Sequence, residues 1–133
     1  MSTRQQSIDF ILDHYEHPRH HGPLADADVV ISGGNPGCGD VVTLYLKLDA
    51  EERVSAVGFE GEGCTISQAA ASLLTDKLIG RPLTTLTDFD PEPLIDEMGR
   101  EVVSTRLKCA TLAVNLARGA EKYYRTQKAP IEK

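Results

Sequence analysis

The sequence predicts an α+β fold: a small antiparallel sheet of about three strands with helices packed on one face. Three observations carry that prediction. Apolar residues near the N-terminus recur at helical spacing, residues 29 to 59 change to strand-like runs with short connections, and the chain beyond Cys64 returns to helical spacing. Strands grouped together and followed by helices mark an α+β domain.

Each element has its own signal. Ser2-x-x-Gln5 resembles a capping box, and Ile8, Ile11, Leu12 and Tyr15 share one helical face, so a first helix is expected over about residues 3 to 16, ending near Pro18. Residues 18 to 28 hold two prolines and a glycine and read as loop. Val29 to Ile31 is a short β-branched run. Val42, Leu44, Leu46 and Leu48 alternate with Val41, Thr43, Tyr45 and Lys47, which is a strand with one buried face. A turn over Asp49 to Glu52 and a strand over Val54 to Phe59 complete an antiparallel hairpin or meander. Ile66, Ala69, Ala70, Leu73, Leu74 and Leu78 predict a helix closed by Gly80 and Pro82. Pro91 to Met98 predicts a short helix stopped by Gly99. The stripe Ala110, Ala113, Ala117, Ala120 and Tyr124 carries a last helix from about Cys109 to Thr126, with a frayed tail over 127–133.

The chain has 133 residues, which is one domain's length, so a single unit over 1–133 is expected. Its net charge is −6 and its basic residues are scattered, which argues against duplex nucleic acid and anionic membrane as partners. No run approaches the roughly 18 apolar residues of a membrane span, and the start, Met1 to Gln6, has no hydrophobic signal core. A cytoplasmic protein is expected.

Three cysteines cannot all pair with one another. Cys38 lies in the glycine-rich run Gly33 to Asp40 and Cys64 follows Gly61-Glu62-Gly63, surroundings that read as turns, while Cys109 follows Arg106-Leu107-Lys108. All three stand at loops or helix starts, and the flanking cations and a helix N-terminus would favour thiolate. Asp40, two residues beyond Cys38, can complete a tetrahedral set of three sulfurs and one oxygen. From spacing alone, a metal site and three independent thiols both stay open. The glycines of 33 to 39 lack the Lys-Ser or Lys-Thr of a phosphate loop and read as allowing tight turns around a metal. His14, His17, His20 and His21 read as a helix end where cations complement the dipole, in preference to a second metal site. Asp90-Pro91-Glu92 reads as a solvated loop and helix cap.

Four segments carry a resemblance. Asp13-His14-Tyr15-x-x-Pro18-Arg19, Asn35-Pro36-x-Cys38-Gly39-Asp40, Phe59-Glu60-Gly61-Glu62-Gly63-Cys64-Thr65-Ile66-Ser67 and Arg106-x-Lys108-Cys109-Ala110-Thr111-Leu112 are similar, in that order, to the U-type iron-sulfur cluster assembly proteins. The likeness runs from about residue 8 to 125. It implies an α+β sandwich and an exposed site in which Cys38, Asp40, Cys64 and Cys109 bind zinc or a nascent 2Fe-2S cluster. It also implies a cysteine desulfurase as sulfur donor, iron-sulfur acceptor or carrier proteins as recipients, and Cys38, Cys64 and Cys109 as candidate sulfur acceptors. Three functions follow: cluster scaffold, zinc-dependent sulfurtransferase, or structural zinc module.

The chain resembles two branches of that family at once. It shares the short span between second and third cysteines with the IscU branch, yet has Lys108 where that branch has histidine, so the histidine's role is not carried over. Val102 to Arg106 stands where IscU has the Leu-Pro-Pro-x-Lys stretch read by a dedicated chaperone, and that partner is not carried over either. The motifs around the cysteines resemble the SufU branch, whose insertion before the third cysteine is absent. Arg106 and Lys108 are read either as supports for the Cys109 thiolate and guides for the desulfurase, or as solvated cations.

Overall fold

The structure is a computed structural model that describes residues 4–35 and 40–128. The first helix, α1 (Arg4–Glu16), is followed by three strands, β1 (Val29–Asn35), β2 (Asp40–Leu48) and β3 (Val54–Glu62). They form an antiparallel sheet in the order β1-β2-β3, with Ile31 opposite Leu44 and Leu44 opposite Phe59. Alternation decides the faces: Val42, Leu44 and Leu46 are fully buried, while Val41 is exposed and Thr43, Tyr45 and Lys47 are half-buried on the other side. At the β2–β3 turn, the Asp49 carboxylate accepts the backbone N–H groups of Glu51 and Arg53.

Helix α2 (Thr65–Leu78) lies against β3, with Ala69, Ala70, Leu73 and Leu74 buried. Burying each such leucine contributes about 1.5–3 kcal/mol. A 3-10 turn (Leu83–Asp88) and the short helices α3 (Glu92–Met98), α4 (Arg100–Val103) and α5 (Leu107–Ala110) follow, and α6 (Leu112–Arg118) and α7 (Ala120–Lys128) pack under β1. Asp90 is exposed and its carboxylate accepts the Glu92 N–H at the start of α3.

Several expectations need correction. On α1 the buried stripe is Ser7, Ile11 and His14; Leu12 and Tyr15 are exposed. Strand β1 extends through Gly33 and Gly34, which are extended rather than turned. Gly33 packs against α6: a Cβ there would stand 2.8 Å from Leu116 Cδ2, so a larger residue requires that leucine side chain to shift. Strand β3 likewise runs on through Gly61 and Glu62, and Cys64 stands as expected in the short connection between that strand and the start of α2. The expected last helix is three pieces, broken at Thr111 and Gly119, although Ala110, Ala113, Ala117, Ala120 and Tyr124 are all buried as its stripe requires. The helical order of residues 100 to 106 carried no periodic signal. Helix α7 continues over 127–128, where a frayed tail was expected, and 129–133 lie outside the described residues.

Candidate metal centre

The ends of three elements meet at one point. Asp40 opens β2, Cys64 is the N-cap residue of α2, and Cys109 sits in the single turn of α5. One ligand atom from each lies within 4.8 Å of the other two. The Cys64 backbone N–H donates to Asp40 Oδ1 at 2.8 Å. The other oxygen, Oδ2, accepts the Cys109 thiol at 2.9 Å and stands 3.8 Å from Cys64 Sγ. Cys64 caps α2 with its sulfur, which accepts the Ser67 N–H at 3.4 Å, while its carbonyl accepts the Ser67 hydroxyl. Local sequence explains this placement: a strand end, one glycine and a helix start put Cys64 beside the first residue of the neighbouring strand.

The point is buried, not exposed. Asp40 is 1% and Cys109 2% accessible, and Cys64 is half-buried. Burial pushes the Cys109 thiol up to about 12, with the neighbouring Asp40 and Cys64 acting in the same direction. The expectation that flanking cations would make Cys109 a thiolate is therefore overturned for the metal-free protein. Arg106 and Lys108 are exposed, in water that screens them. Cys38, with residues 36–39, lies outside the described residues.

Two sulfurs and a carboxylate oxygen match the donor set of a tetrahedral thiolate site. With sulfur at about 2.3 Å and oxygen at about 2.0–2.2 Å from zinc, tetrahedral geometry puts sulfur and oxygen roughly 3.5 Å apart. The observed 2.9 and 3.8 Å bracket that separation. A metal bound through the Cys109 sulfur would take it as thiolate, so uptake of a cation must release that proton.

Among the described residues, His14, His20 and His21 each meet a different partner. His14 is buried and its Nδ1 meets Ser72 Oγ at 2.7 Å; burial lowers it, so it is a neutral core residue rather than a cation at the helix end. His20 pairs with Asp76 of α2 at 3.0 Å, and His21 packs edge-on against Phe59. Sequence reasoning missed Gly63 as a site residue, although its place between the strand signal and Cys64 was visible.

Residues 6–130 match the NifU-like N terminal domain model. The chain belongs to the NifU-like N-terminal domain family. Within this family it is 36% identical over 129 residues to the iron-sulfur cluster assembly scaffold protein IscU of Streptococcus pyogenes serotype M1, covering 84% of this chain and 80% of that one. It is 38% identical over 120 residues to the zinc-dependent sulfurtransferase SufU of Bacillus subtilis strain 168, covering 77% and 80%. It superimposes with a TM-score of 0.70 on the crystal structure of a putative iron-sulfur cluster assembly scaffold protein for the SUF system from Fervidobacterium islandicum AW-1, at 30% identity over 84% of this chain and 93% of that one. NifU-like N-terminal domains thus supply the α+β frame on which Asp40, Cys64 and Cys109 converge. No helix of the described residues is long and apolar enough to cross a membrane.

Proposed function

We propose that this chain accepts persulfide sulfur from a cysteine desulfurase and serves as the scaffold on which a transient 2Fe-2S cluster forms before passing to acceptor proteins. The observation that carries this reading is the convergence of two thiols and a carboxylate, within 4.8 Å, in a NifU-like N-terminal domain. Cys38 joins them as the remaining sulfur, and residues 1–133 act as one unit in a reducing cytoplasm where thiols stay free.

Sulfur transfer is thiolate chemistry. A deprotonated cysteine of this chain attacks the outer sulfur of the donor's persulfide, a new S–S bond forms, and the donor's S–S bond breaks to release its cysteine as thiolate. This transfer balances without an external oxidant, whereas turning the transferred sulfane sulfur into the sulfide of a 2Fe-2S cluster takes two electrons, supplied by a thiol or ferredoxin-class reductant that the incubation must include. Asp40 serves the next steps: its Oδ2 already accepts the hydrogen bond of the Cys109 thiol, and one carboxylate among thiolates makes a hold that cargo can leave. Arg106 and Lys108, exposed on the turn leading to Cys109, guide the donor by charge.

The test is anaerobic incubation with iron, cysteine and a desulfurase. A cluster chromophore is expected, with slower decay in Asp40→Ala. Absence of the chromophore, or unchanged decay and transfer in that variant, refutes the scaffold reading. A second reading, zinc-dependent sulfur acceptance without cluster assembly, is favoured by the likeness to SufU and by a gap sized for tetrahedral zinc. Mass spectrometry distinguishes it by a persulfide that forms only on zinc-loaded protein. Metal removal that unfolds the chain, with neither product formed, would point to a structural zinc module.

A further inference from the structure

We propose that Gly63 is a positioning residue that makes Asp40 meet a metal through one oxygen only. This rests on reading Asp40, Cys64 and Cys109 as metal ligands, but its geometry stands independently. Gly63 joins β3 to the N-cap of α2 with φ of +137°, a region that side-chain-bearing L-residues rarely enter. A Cβ there would fall 2.2 Å from Asp40 Oδ1, 2.9 Å from its Cγ and 2.8 Å from its Cα. The last contact is with backbone, so rotating the aspartate side chain cannot relieve it.

That close passage brings the Cys64 N–H to 2.8 Å from Oδ1. The amide occupies this oxygen and holds the carboxylate plane, which leaves Oδ2 toward the sulfurs of Cys109 and Cys64. Outer hydrogen bonds of this kind orient a metal ligand and tune its hold. Here the outcome is a one-oxygen ligand whose partner amide competes for its charge, and that is a built-in reason for cargo to leave. Any side chain at 63 pushes the chain off Asp40, breaks the amide contact and frees the carboxylate to rotate or withdraw.

The experiment uses the full chain loaded with Co(II), whose visible absorption reports the ligand set. Gly63→Ala is expected to lose the wild-type spectrum and to change cobalt release to a chelator at least tenfold, and the double variant is expected to match Asp40→Ala alone, because position 63 acts only through that carboxylate. A wild-type spectrum and release rate in Gly63→Ala would overturn the proposal, as would a double variant whose changes are the sum of the two. Should Gly63→Ala not fold, hydrogen exchange in the metal-free wild type decides. The Cys64 amide is expected to exchange slowly, and at least tenfold faster in Asp40→Ala; equal rates overturn the proposal. Wild-type protein that takes up no cobalt would instead count against the metal reading, and the exchange measurement would still decide how Asp40 is held.

Discussion

At the scale of the residue, the Cys109 thiol is governed by burial more than by its neighbours in sequence. Arg106 and Lys108 suggest a thiolate, yet both are exposed while Cys109 is 2% accessible and donates to Asp40. Its folded value of about 12 stands above the ordinary thiol value near 8.5. The folded state thus binds this proton more tightly than the unfolded chain does. That contribution to stability is fully present below about pH 8.5 and is lost as pH rises toward 12. Urea unfolding of the metal-free protein should show a midpoint that falls between pH 8.5 and 11, with a flatter profile in Cys109→Ser. Parallel profiles would refute the assignment. What was legible here is that Asp40, Cys64 and Cys109 come together; which of them is charged was not, because solvation is decided by residues far away in the chain.

At the scale of the element, α1 shows how periodicity identifies a helix without choosing its buried face. Its apolar stripe of Ile8, Ile11, Leu12 and Tyr15 predicts one face, but Ser7, Ile11 and His14 are buried instead. Two contacts rotate the helix. Gly99, φ +93°, lies so close to Ser7 that a Cβ would stand 2.4 Å from the serine hydroxyl oxygen, and Ser72 of α2 meets the His14 ring. Ser72 Oγ also accepts the Arg19 N–H at 2.8 Å, so one serine hydroxyl ties the His14 ring to the loop that follows α1. Burial lowers His14, Arg19 adds to this, and Asp13, Asp76 and Glu97 oppose it. The stability of the neutral ring is present above the ordinary histidine value near 6.5 and is lost as pH falls through the lower folded value. Protection factors of the α1 amides, corrected for the intrinsic exchange rate, should therefore fall between pH 7 and 5 in wild type and much less in His14→Gln. An equal fall in both would rule His14 out. The C-terminal stripe, by contrast, was read correctly residue by residue, and only the breaks at Thr111 and Gly119 escaped, since periodicity continues across them.

At the scale of the molecule, the candidate centre ties together β2, α2 and the α5 turn, elements distant in sequence. A metal bound there stabilises the folded chain by linkage, about 4 kcal/mol at a thousandfold excess over Kd. For a chain of this length that raises Tm by roughly 15 °C. Calorimetry with and without zinc checks it: the rise should disappear with a chelator and shrink strongly in Cys109→Ser, while an unchanged Tm on zinc addition would argue against binding by the folded state.

The sequence by itself determined the α+β class, the strand alternation of β2, the stripe of the C-terminal helices and the candidate grouping of Asp40, Cys64 and Cys109, because periodicity and side-chain type are local properties of the chain. Only the tertiary structure decided that Asp40 and Cys109 are buried, that Cys109 keeps its proton when metal-free, that α1 turns its serine and histidine inward, and that Gly63 lies against Asp40. Those outcomes depend on which surfaces exclude water from one another, and that is fixed by packing between segments far apart in sequence.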